Sequence, residues 1–189
     1  MSSITDARSL SKFEKLMGAI RKLNSRWDAF ATALYDMAML SNRSVPANTI
    51  LSHLVYSDVA QAIAWLTKTF GFVEHYRYGD PNAPNGAQMH LGDAWIMLRS
   101  PRADSKTPKQ AGVWTQSLTI FVDDVEAHYQ KAKAAGAKIV EELNQTPYGE
   151  FQYGVEDLDG HHWLFARHAR DVSPEDWGAT VATAFKPVS

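Results

Sequence analysis

Residues 54–71, LVYSDVAQAIAWLTKTFG, and residues 119–136, TIFVDDVEAHYQKAKAAG, share one layout. Each is an apolar strand, an Asp-Val step, an alanine-bearing amphipathic stretch and a closing Gly. Such self-similarity at a spacing of about 66 residues marks one structural unit used twice. The physics is the same in both copies. A short β-branched and aromatic run forms a strand, and an Asp before the amphipathic stretch accepts from the first free helix amides. A Gly then ends the helix, because it tolerates the left-handed backbone of a C-terminal cap.

Working outward, Ile50–Tyr56 reads as a strand, Asp58 as the cap of a helix over Val59–Phe70, and Gly71 as its stop. Phe72–Tyr78, Ala87–Leu91 and Ala94–Arg99 follow as strands, with turns at residues 79–86 (GDPNAPNG) and at Gly92-Asp93. The second copy places a strand at Ser117–Val122, a helix capped by Asp124 and ended by Gly136, and strands at Lys138–Glu142, Phe151–Glu156 and His162–His168. Pro101–Gly112 connects the copies. The expected fold is therefore α+β: two tandem βαβββ modules, residues 49–100 and 113–170, with a tail at 171–189.

Ahead of the modules, Ser11 and Glu14 form a capping-box pattern. Phe13, Leu16, Ile20, Leu23, Trp27, Phe30, Leu34 and Met37 then recur at helical spacing. This predicts a long N-terminal helix whose apolar stripe is covered by its own domain, by a partner subunit, or over a pocket. Residues 41–48, SNRSVPAN, read as the linker, so residues 1–48 form an extension to a domain at 49–189.

Composition bounds the function. With 189 residues, 45% hydrophobic and 21% charged, the chain can bury a sizeable core. Zero Cys excludes disulfides, thiolate metal sites and a Cys nucleophile. Seven basic against four acidic residues in the first 45 is too sparse a charge for nucleic acid. No apolar run reaches the roughly 20 residues of a membrane span, and the first residues lack a secretory core, so a cytoplasmic location is expected.

The paired modules, the two Asp-Val helix starts and the closing segment Tyr148-Gly149 to Asp157-Leu158-Asp159-Gly160-His161-His162-Trp163 resemble the vicinal oxygen chelate superfamily. That group holds glyoxalases, bleomycin- and fosfomycin-resistance proteins, extradiol dioxygenases and an epimerase. The tail beyond Gly160 is similar to glyoxalase-like members without an established metal. The resemblance covers about residues 50–177 and implies sheets curving around a shared cavity, with helices outside. It also implies a homodimer, since relatives pair modules across subunits.

Metal-bearing relatives carry ligands near the start of each module's first strand and on its last strand. Those positions fall here on Leu51, Ser117, Leu164 and the vicinity of Met97, none of which suits a divalent cation. No cofactor is therefore expected. A relocated divalent metal on His53, His90 and His162 is the alternative, because strand alternation points His53 to the face of Leu51 and His162 to the face of Leu164.

The same alternation turns Leu51, His53 and Val55 inward from one module, and Ser117, Thr119 and Phe121 from the other. Trp95, Trp114, Tyr148, Phe151 and Tyr153 join them as rings that can stack on a planar guest, while His90 and His162 offer imidazoles. Trp163 alternates away and reads as core. Asp157 and Asp159 read as turn formers, and Ser173-Pro174 as a helix start. Two functions stay open. One is a metal-free cup that binds a small aromatic or heterocyclic ligand. The other is a lyase or isomerase using His53 as acid/base, or the relocated metal.

Overall fold

The computed structural model describes residues 43–45 and 50–182. The N-terminal helix, its stripe and the last seven residues lie outside the described residues. The chain divides into two units, residues 1–47 and 48–189. Everything below concerns the second.

Twelve elements run in the order β1 (Ser52–Val55), α1 (Val59–Phe70), β2 (Val73–Asp80), β3 (Ala83–Leu91), β4 (Ala94–Arg99), α2 (Pro108–Ala111), β5 (Ser117–Phe121), α3 (Val125–Ala134), β6 (Lys138–Gln145), β7 (Glu150–Glu156), β8 (His162–His168) and a 3-10 turn at Pro174–Trp177. They build two four-stranded sheets, β1-β4-β3-β2 and β5-β8-β7-β6. In each, the first strand pairs parallel to the last and the other pairs are antiparallel, so the expected α+β tandem of βαβββ modules is the observed fold. Asp58 and Asp124 accept from the amides of Gln61 and Ala127, each at 2.9 Å, as the repeated Asp-Val predicts. Gly71 caps α1 with φ +87°, whereas α3 ends on Ala135 and leaves Gly136 one residue beyond.

Three local expectations need correction. The stretch 79–86 is a tighter hairpin than an eight-residue turn: β2 runs to Asp80, β3 starts at Ala83, and Pro81-Asn82 make the turn. Pro84 is tolerated in β3 because it stands at a register shift opposite Gly79. The connection between modules contains α2, closed by a capping box in which Thr107 and Gln110 satisfy each other's backbone amides. Ser173 makes no side-chain cap, so Pro174 begins a single 3-10 turn and not a longer helix.

Helices α1 and α3 cover one face of the sheets and touch each other. The core beneath them is shared: Leu54, Leu66, Phe70, Met89 and Leu98 from the first module join Ile120, Val125, Tyr153, Trp163 and Phe165 from the second. The closing segment ties the modules by hydrogen bonds as well. Asp159 accepts from the Ser57 amide (2.7 Å) and hydroxyl (2.9 Å), and His161 Nε2 donates to the Val55 carbonyl (2.8 Å). Asp157 and Asp159 therefore shape a turn and also cross the module boundary. Among the described residues, no helix is long and apolar enough to cross a membrane.

His128 on α3 is a further tie. Its Nε2 donates to the Phe70 carbonyl at the end of α1 (2.9 Å), which leaves Nδ1 to accept from the Tyr153 hydroxyl (2.7 Å). Burial pushes this imidazole below its ordinary value, which favours the neutral ring in the folded chain. The unfolded chain protonates near pH 6.5. Because the folded value is the lower one, the stability held by His128 is complete above about pH 6.5 and declines as the pH falls through that value toward the folded one. The urea midpoint of the wild type is expected to fall with acid more steeply than that of His128→Gln. Parallel curves for the two proteins would remove His128 from the account.

Candidate functional site

Strand alternation puts Leu54 and Tyr56 under the helices and, among the described residues, leaves the opposite face of each sheet without a helix. Register then lines up the residues of that second face. In the first module, Val55, Arg99, Gly86 and Tyr78 form one row, and His53, Met97, Gln88 and Tyr76 the next. Trp95, His90 and Val73 follow. In the second module the rows are Ser117, His162, Glu156, Lys138, then Thr119, Leu164, Gly154, Glu141, then Phe121, Ala166, Gln152, Asn144.

Each module presents a stacked indole and imidazole at the corresponding end of its face. His90 lies over Trp95, centroids 4.6 Å apart and planes 22° from parallel. Its Nδ1 approaches the Gly92 carbonyl at 3.2 Å. His75 meets the same indole edge-on at 5.4 Å. In the second module Trp114, half exposed on the segment before β5, lies over His162 at 4.1 Å and 17°. Glu156 stands 3.5 Å from His162 Nε2 and 2.7 Å from Lys138 Nζ. Ser117 and Thr119 are exposed beside them on β5. A groove of about 530 Å³ runs between Leu91–Ala94 of the first sheet and Thr119–Asp123 of the second.

Two residues expected in the cavity lie elsewhere. Phe151 and Tyr153 share the parity of Val155 on β7, which faces the helices. Phe151 carries the Arg167 guanidinium 5.3 Å above its ring, and Arg167 in turn pairs with Glu126 of α3. Tyr153 is fully buried against Phe165 and His128, and burial raises its pKa, so its hydroxyl stays a donor. Alternation with Glu150, Gln152 and Glu156 along β7 sets that parity. Tyr148, in the turn before β7, remains at the open side and donates to Gln152 (3.0 Å).

Other residues of the open face escaped the sequence reading. A β-bulge between Glu74 and Tyr76 turns the His75 imidazole toward Gln88, whose Oε1 lies 2.7 Å from Nδ1. Gln88 is wholly buried there and donates to Met97 Sδ at 3.4 Å. Only the alternation of Ala87 and Met89 toward the core signals this, since a bulge leaves no mark in composition.

The three imidazoles of the relocated site do not converge. His53 and His90 are separated by β4 and stand in different rows, and His162 belongs to the other sheet. Among the described residues, no three His, Asp or Glu side chains gather closely enough to hold an ion. His53 is exposed on β1, beside Met97 of β4.

Comparisons with known proteins agree with this architecture. An uncharacterized protein of Mycobacterium bovis is 31% identical over 140 residues, 69% of this chain and 90% of its own length. TioX from Micromonospora sp. ML1, whose crystal structure is known, is 33% identical, with 65% of this chain and 99% of that one covered at a TM-score of 0.56. A superfamily member from Sphaerobacter thermophilus shares the fold at 17% identity, covering 65% and 98% of the two chains with a TM-score of 0.53. Residues 48–165 match the model of one family, and the chain belongs to it: the Glyoxalase/Bleomycin resistance protein/Dioxygenase superfamily.

Proposed function

We propose that this protein binds a small planar aromatic or heterocyclic compound on the sheet faces opposite α1 and α3, without a metal, as a homodimer. One observation carries the reading: both modules end their open face in a stacked indole–imidazole pair, Trp95 with His90 and Trp114 with His162. A flat guest gains stacking on such rings, and the imidazoles beside them offer hydrogen bonds that orient it. The absence of a convergent His or carboxylate set in the described chain supports recognition by shape and stacking over polarisation of vicinal oxygens.

A second copy supplies a further wall. Val73, Tyr78 and Val140 are large, apolar and more than two-fifths exposed. Pairing open faces removes that area from water and encloses the guest between one module of each copy.

Acridine serves as a probe. Tryptophan quenching on titration is expected to saturate, to be unchanged by EDTA, and to weaken roughly 3–10-fold in Trp95→Leu and in Trp114→Leu, the scale of one lost stack. Sedimentation is expected to give a dimer. Binding that vanishes with EDTA and returns with zinc would overturn the metal-free reading, and full affinity in both Leu variants would overturn the stacking.

A further inference from the structure

The far end of the second module's open face holds a second constellation, about 20 Å along β8 from His162 by strand rise. Glu150 and His168 are register partners on β7 and β8. Glu150 Oε1 lies 2.7 Å from His168 Nδ1. The carboxylate side chain is only 16% exposed, and its Oε2 is buried with no hydrogen-bond partner, whereas the imidazole is 78% exposed. Phe121 packs on the imidazole at 4.7 Å. His168 lines two pockets, one of about 480 Å³ bordered by Tyr148 and Arg170, the other of about 380 Å³ bordered by Phe121 and Arg167. Asp171 lines the first and Asp123 the second.

We infer that Glu150 and His168 form a carboxylate–imidazole dyad for proton transfer, acting on an aryl 2-keto acid. A carboxylate only accepts, so His168 donates from Nδ1 and keeps Nε2 bare toward solvent. That is the arrangement in which a carboxylate orients an imidazole and faces the imidazolium formed when Nε2 takes a proton. With no other donor on Oε2, the charge of Glu150 is left to that imidazolium. Glu150 is thus a positioning residue and His168 the catalytic one.

The pocket chemistry selects the substrate class. Phe121 and Tyr148 suit an aryl ring. Arg170 uses one N–H on the Pro147 carbonyl (3.3 Å) and keeps its other donors for a carboxylate. Between them Nε2 takes a benzylic proton: the C–H bond breaks, the N–H bond forms, and the electron pair moves into the new C=C as the carbonyl oxygen becomes an enolate. Return of the proton to that oxygen gives the enol. The step is a tautomerisation and needs no other reactant. It rests on different residues from the stacking pairs, so either reading can fail alone.

Phenylpyruvate is the probe, with keto–enol conversion followed by ultraviolet absorbance in dilute buffer. The wild type is expected to give kcat/KM at least 100-fold above the rate constant of free imidazole. His168→Ala should fall to the buffer background, and Glu150→Ala should lose kcat with KM retained and an unchanged circular-dichroism spectrum. Long-range proton–nitrogen NMR should show His168 protonated at Nδ1 in the wild type and mainly at Nε2 in Glu150→Ala. A wild type no faster than imidazole, an active His168→Ala, or an Nε2–H tautomer in the wild type would each overturn the dyad.

Discussion

Asp157→Ala is expected to lower the unfolding free energy by about 3–5 kcal/mol, the scale for stranding several buried donors at once. The Asp157 carboxylate is buried and accepts four hydrogen bonds. Oδ2 takes the Tyr56 hydroxyl (2.6 Å) and the Trp163 indole N–H (3.0 Å), and Oδ1 takes the amides of Asp159 (3.0 Å) and His161 (2.9 Å). Tyr56 belongs to the first module and lies 101 residues away, so one side chain holds the first strand's end to the last hairpin. Burial, reinforced by the Asp157 charge, raises the Tyr56 pKa well above its ordinary value and keeps the phenol protonated as donor. At roughly 2–4 °C per kcal/mol for a chain of this size, the melting temperature should drop by about 10 °C. Tyr56→Phe removes one of the four bonds and should cost about 1 kcal/mol. Urea titration followed by far-ultraviolet circular dichroism checks both values. A loss under 1 kcal/mol for Asp157→Ala would mean that water replaces the carboxylate, and the network would then not join the modules.

Phe70→Ala should be comparably severe, about 3–5 kcal/mol, the usual range for deleting a buried phenyl ring. The ring is 1% exposed and ends α1, where it meets Trp65 of its own helix at 4.9 Å. It also meets Trp163 at 5.6 Å and Phe165 at 4.7 Å, both on β8 of the other module. Removing it opens a cavity between modules that neither sheet can fill alone. The expected sign is non-local: amides of β8 and of α1 should lose hydrogen-exchange protection together, in one cooperative transition. Loss confined to α1 and β1–β4 would show that the two modules unfold independently.

The site tests the limits of strand parity. His53 and Thr119 were assignable to the face away from the helices, because Leu54 and Ile120 beside them are plainly core residues. Phe151 and Tyr153 follow the same rule, since they alternate with Glu150, Gln152 and Glu156 along β7 and share the parity of the core residue Val155. They pair with Arg167 and Phe165 on β8. His75 needed the bulge in β2, and the Glu150–His168 pair needed the β7–β8 register, which brings together residues 18 apart in the chain.

What the sequence determined by itself was local and periodic. The repeated strand, Asp cap, amphipathic helix and Gly stop specify the module twice, because capping and hydrophobic period act within a few residues. The tertiary structure alone decided which ring meets which imidazole, that Asp157 spans both modules, and that His53, His90 and His162 do not converge. Those outcomes depend on register and bulges, where a shift of one residue reverses every side chain across the sheet and no short stretch of sequence carries the information.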